Sequence, residues 1–157
     1  MKKVIYSVLI GEYDQINSFQ KQKDFDYFLF SDINYNYTNW TILPIPKSIL
    51  SLNLSNYKIT RFIKIFPHLF FKNYELSIYI DASYTIIGDI NELLLRLLNP
   101  KYNMYSIQHP SRCKIFQEFT AVLLHKKENN YTVDLVKKRY IKENFPDNLG
   151  LTENCII

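Results

Sequence analysis

Cysteine is scarce: 157 residues contain two, Cys113 and Cys155, which share neither metal-ligand nor redox spacing. That excludes a paired-cysteine metal or redox motif and fits reduced thiols in a cytoplasmic protein. No apolar run approaches the roughly 20 residues that a membrane-spanning helix needs, so no transmembrane segment is expected. Charge of one sign is also sparse. The formal net charge is +4, acids and bases are mixed, and no long basic stripe exists, so nucleic acid is not an expected partner. Internal repeats and low-complexity linkers are missing too, which leaves one domain over residues 1–157 as the expected organisation.

What is abundant is aromatic: 13 Tyr and 11 Phe. Asn, Ile and Lys are frequent as well, and an AT-rich coding bias explains the set as readily as base stacking does. Met1-Lys2-Lys3 before Val4–Ile10 imitates a secretory leader. The apolar run is short, however, and Gly11-Glu12-Tyr13-Asp14 ends it without a small-residue cleavage site, so a buried first strand is expected.

Val4–Ile10, Phe25–Phe30 and Thr38–Ile45 read as strands, the last closed by Pro44 and Pro46 as suits an edge. A helical stretch over about Leu52–Phe66 precedes a fourth strand, Leu76–Ile80. Asp89 and Glu92 have capping-box spacing ahead of the apolar Leu93–Leu98, which Asn99-Pro100 stops. Tyr102–Gln108 reads as another strand. Helices follow over about Cys113–Lys126 and Tyr131–Asn144, then a loop from Pro146 to Gly150. Strands alternating with helices predict an α/β fold with a mostly parallel central sheet flanked by helices. The terminal Cys155-Ile156-Ile157 resembles the start of a further strand, so the domain is read as truncated or minimal at its C-terminus.

Ligands of open α/β sheets collect beyond the carboxyl ends of the strands. Three such ends carry candidate residues: Gly11 through Asp14 after the first, Asp32 after the second, and Asp81-Ala82-Ser83 after the fourth. Each has an ordinary explanation as turn or strand-end chemistry, and their convergence is what favours a site. On a helical wheel Tyr57, Arg61, Lys64 and His68 form one face, with Ile59, Ile63, Phe66 and Phe70 opposite. The polar face is either a solvated basic surface or a cradle for a diphosphate, and Pro67 interrupts it before His68. His109-Pro110-Ser111-Arg112 follows the Tyr102–Gln108 run and is placed on the same sheet edge; Glu118 reads as a solvent-facing helix residue.

In order and spacing, these segments resemble a glycosyltransferase-like family of the TOD/MUCI type, once known only as a domain of unknown function. The resemblance rests on Ile10-Gly11-Glu12-Tyr13-Asp14, Phe30-Ser31-Asp32, Arg61 through His68, Ser77 through Ser83, Gly88-Asp89, His109 through Arg112, and Phe145 through Glu153. It implies a GT-A-like fold with Asp81-Ala82-Ser83 at the place of an Asp-x-Asp motif. Asp81 would meet a metal–diphosphate, Asp32 the nucleoside, and Arg61 and Lys64 the phosphates. Ser83 stands where the general motif has its second carboxylate, and the family continues beyond the Gly-Leu-x-Glu segment.

The expected activity is transfer of a sugar from a nucleotide-diphospho-sugar to a glycan or glycoconjugate acceptor, in surface polysaccharide biosynthesis. The alternative is a catalytically degenerate nucleotide-sugar-binding module that needs a partner for the acceptor. Asp81 and Glu153 are the candidate catalytic residues, with Glu153 as a base toward the acceptor. Gly11, Tyr13, Asp32, Arg61, Lys64, His68, Ser83, His109 and Arg112 are the candidate donor contacts. Asp81 and Ser83, completed by phosphate oxygens, are the candidate ligands of a divalent cation, Mn or Mg.

Overall fold

The run from Val4 to Leu9 is apolar apart from Ser7 and the Tyr6 hydroxyl, and a strand so composed must be covered on both faces. The computed structural model, which describes residues 1–36, 38–99 and 101–153, does this by placing strand β1 (Lys3–Leu9) inside a sheet. β1 pairs in parallel with β2 (Phe25–Ser31) on one side and with β4 (Leu76–Tyr79) on the other. The short β3 (Thr41–Pro44) adds to β2, again in parallel. The four-stranded order is β3-β2-β1-β4. β3 lies at an edge and stops at Pro44, as the two prolines predicted. It is shorter than the expected Thr38–Ile45, because Trp40 instead turns into the core against Phe19 and Tyr27.

Alternation along β1 builds two cores. Val4, Tyr6, Val8 and Ile10 face one side, with Phe30, Phe71 and Tyr79. Ile49 from α1 (Lys47–Leu50) and Ile59 and Ile63 from α2 (Asn56–Ile65) cover them. Ile5 and Leu9 face the other way, with Tyr27, Leu29, Ile78 and Ile80, under Ile90 of α3 (Ile90–Leu97). α2 begins at Ser55, whose side chain accepts from the Lys58 amide, and ends before Pro67, which opens a separate 3-10 turn, Pro67–Leu69. Asp89 caps α3 by accepting from the Asn91 amide at 2.8 Å, so the capping residue read from the sequence does that work.

The described residues from Met1 to Tyr105 form one compact unit and those from Ser106 onward another. The second unit pairs α4 (Ile115–Leu124) with α5 (Asn130–Lys142), the latter capped by Asn129, which accepts from the Thr132 amide at 2.8 Å. It also holds a two-stranded antiparallel ribbon, β5 (Ile107–Gln108) with β6 (Thr152–Glu153). Here the sequence reading is corrected: Tyr102–Gln108 is not a strand of the central sheet. Only its last two residues pair, and they pair with β6. Tyr102 and Met104 are exposed, and the Tyr105 hydroxyl donates to the Asn99 carbonyl at 2.6 Å, so the segment folds back locally. The further strand expected at Cys155-Ile156-Ile157 lies outside the described residues. Among the described residues, no helix is long and apolar enough to cross a membrane.

Candidate functional site

Because β1, β2 and β4 are parallel, their carboxyl ends share one edge of the sheet, and Gly11, Asp32 and Asp81 all follow those ends. Gly11 has φ of 76°, a left-handed turn that glycine adopts without strain. Its amide donates to the Asp32 carboxylate, at 2.9 Å to Oδ1 and 3.2 Å to Oδ2. Asp32 therefore ties the β1 turn to the end of β2. The Tyr35 hydroxyl joins this corner: burial pushes its pKa up, the Asp32 and Glu12 charges add to that, and a hydrogen bond with Ser31 opposes it.

The turn after β4 is built differently. The Tyr84 amide donates to the Asp81 carbonyl at 3.0 Å, so Asp81 through Tyr84 form a tight turn instead of extending the strand. Asn17 clamps it from outside, its amide donating to the Ala82 carbonyl at 3.3 Å and its side-chain nitrogen to the Ser83 carbonyl. Ala82 points into the core and Ser83 into solvent.

Asp81 itself is the centre of a part-buried polar group. Lys64 Nζ lies 3.3 Å from Asp81 Oδ1, and the Tyr79 hydroxyl donates to the same oxygen at 2.5 Å. The Lys64 side chain is only 3% exposed against 37% for Asp81. Its ammonium sits 4.1 Å from the centre of the Tyr79 ring. The Tyr6 hydroxyl donates to the Lys64 carbonyl at 2.6 Å, fixing the last turn of α2 to the middle of β1. Burial is the main reason that the Tyr6 and Tyr79 hydroxyls are pushed far above the ordinary tyrosine range, and at Tyr79 the Asp81 carboxylate adds to it. Both remain proton donors at neutral pH.

The basic face expected on α2 thus divides. Lys64 turns inward to Asp81, while Arg61 stays exposed, 4.9 Å from the centre of the exposed Tyr57 ring. His68 leaves the row because Pro67 ends the helix, and its ring meets the edge of Phe66 at 5.9 Å. Tyr13 is largely exposed, and its hydroxyl feels the charges of the site. Burial leads the rise of its hydroxyl pKa, and Asp14 and Asp81 add to it. Arg61 and a hydrogen bond with Thr60 pull it down.

His109, Arg112 and Glu153 belong to the second unit. His109 Nδ1 accepts from the Ser111 and Arg112 amides at 3.2 and 3.0 Å, which makes it a turn-former. Arg112 Nε donates to Glu118 Oε2 at 2.5 Å, so Glu118, read as solvent-facing, is a half-buried ion-pair partner instead. Glu153 is exposed on β6, where its carbonyl accepts from the Ser106 hydroxyl at 3.4 Å.

Sequence reasoning missed two residues that shape the Asp81 site. Tyr79 reads from sequence only as part of a strand, although a spacing of two puts it on the same face as Asp81. Asn17 carries no signal in the sequence, since it reaches the Asp81 turn from a distant loop.

The donor set suits a divalent cation poorly. Asp81 Oδ1 already faces an ammonium and a hydroxyl. Ser83 supplies no carboxylate. Among the described residues, no group of three or more His, Cys, Asp or Glu side chains is placed to hold a metal. A hard ion prefers several oxygen ligands and is repelled by a fixed cation beside one of them.

A parallel sheet in the order β3-β2-β1-β4, covered by helices and carrying its polar residues at the carboxyl edge, is a mixed α/β arrangement consistent with a GT-A-like fold. Residues 2–149 match the TOD1/MUCI70, glycosyltransferase-like domain, and the chain belongs to that family. No curated protein and no solved structure matches the chain.

Proposed function

We propose that this chain is a glycosyltransferase that moves a sugar from a nucleotide-diphospho-sugar to a glycan or glycoconjugate acceptor. A cytoplasmic role in surface polysaccharide synthesis belongs to the same proposal. The observation that carries it is the gathering of Gly11, Asp32 and Asp81 on one sheet edge, with the exposed Arg61 close enough to act electrostatically on Tyr13, which also feels Asp81. Glycosyl transfer breaks the bond between the anomeric carbon and the diphosphate, and negative charge grows on the departing oxygen. A guanidinium in place before the reaction stabilises that charge with little reorganisation. In this reading Arg61 faces the diphosphate, with the Lys64–Asp81 pair behind it. Asp32 and Gly11 lie toward the nucleoside, and Tyr13 and Ser83 complete the donor contacts offered by this unit.

A second reading, a donor-binding module that depends on a partner for its acceptor, is favoured by the commitment of Asp81 Oδ1 to Lys64 and Tyr79. Incubation of donor sugars with glycan acceptors, followed by product detection, separates the two. The donor site has its own test. Arg61→Ala is expected to weaken nucleoside diphosphate binding about ten- to hundredfold, the loss of a charge-assisted bond of about 1.5–3 kcal/mol, and to leave nucleoside binding nearly unchanged. Calorimetry showing equal losses for both would assign Arg61 a structural role.

A further inference from the structure

We propose that the Lys64 ammonium is the resident cation of the donor site, so that the diphosphate is held without a divalent metal. The inference rests on the donor-site reading above and concerns what neutralises its charge. In a site with two unpaired carboxylates, an incoming diphosphate meets negative charge, and a metal ion must bridge them. Here one carboxylate is present on the turn, and its charge is met from inside the protein at 3.3 Å. The charges that act on the Tyr13 hydroxyl are those of Asp14, Asp81 and Arg61, and Asp81 is itself paired with Lys64.

Lys64 cannot easily make way for a metal. Its side chain is 3% exposed, its ammonium lies over the Tyr79 ring, and its carbonyl is held by Tyr6. An ion bound to Asp81 Oδ1 at about 2.0–2.6 Å would be forced against that buried ammonium, and like charges so close repel even where water reaches one side. The stem of Lys64 thus puts a monovalent cation behind the carboxylate, and Arg61 supplies the exposed charge in front of it.

The test is calorimetry of the intact chain with the common ribonucleoside 5′-diphosphates, in chelator and in manganese, together with manganese alone. Dissociation constants within about twofold in the two buffers, and no saturable manganese binding without nucleotide, are expected. A tenfold or greater requirement for manganese overturns the inference and leaves the donor-site reading intact. Absence of diphosphate binding in both buffers overturns the donor-site reading and this inference with it. Two variants sharpen the result. Lys64→Met removes the charge and keeps the stem, and should create manganese dependence of about tenfold or more. Asp81→Asn should bind diphosphate severalfold more tightly in chelator, because a negative charge leaves while the ammonium stays; a metal ligand at this position would instead give a loss confined to manganese buffer, and that loss would sink the proposal.

Discussion

Ile63→Ala is expected to destabilise the fold by about 3 kcal/mol, within the range of about 2–5 kcal/mol for emptied aliphatic core positions. Ile63 is fully buried, and it packs in one cluster with Val4, Tyr6 and Val8 of β1 and Ile59 of its own helix. The neighbours are large and held by strand pairing on one side, so collapse into the space is limited and a cavity term adds to the lost transfer energy. In urea, with a slope of about 1.5–2 kcal/mol/M, the midpoint should fall by roughly 1.5–2 M. A shift under about 0.5 M would mean that α2 is not docked through this side chain. Arg61 and Lys64 flank Ile63 on the same helix, so looser docking should also weaken diphosphate binding without any change in charge.

Breaking the Lys64–Asp81 pair should be strongly asymmetric. Asp81→Ala leaves an ammonium that is 3% exposed facing an alanine, and the expected loss is about 2–3 kcal/mol, below the fully buried range because the site opens partly to water. Lys64→Met should lose less, about 1 kcal/mol. The thioether stem refills the space over the Tyr79 ring, and the remaining carboxylate, 37% exposed, keeps the Tyr79 hydroxyl and gains water. Paired thermal or denaturant unfolding of the two variants checks this. Equal losses would show that the energy lies in the pair, and a larger loss for Lys64→Met would show that the carboxylate is the buried member.

The parts of the fold that depend on local chemistry were legible. Apolar runs rich in Val, Ile and aromatics located β1, β2 and β4, the prolines marked the end of β3, Pro67 ended α2, and Asp89 announced α3. Parallel pairing followed from the alternation of strands and helices, and with it the shared edge for Gly11, Asp32 and Asp81. Two things were not legible. A helical wheel groups Lys64 with Arg61, yet their fates are set by a partner 17 residues beyond Lys64 that only the sheet brings into reach. Periodicity reports which face a side chain starts from; a long flexible stem then decides where its charge ends. The Tyr102–Gln108 run failed for the opposite reason. Its residues favour strands, but strand propensity is realised only against a neighbour, and just Ile107 and Gln108 find one.

The burial of Lys64 also governs its reactivity. An amine must lose its proton and meet its reagent before it can be acylated, and this one is enclosed by α2, the Tyr79 ring and the Asp81 turn. In the folded chain it is shielded from reagents that reach exposed lysines such as Lys58. Covalent capture of that single nitrogen therefore keeps time for one event, the parting of the end of α2 from the edge of β4, and the sheet edge carries its own clock of local opening.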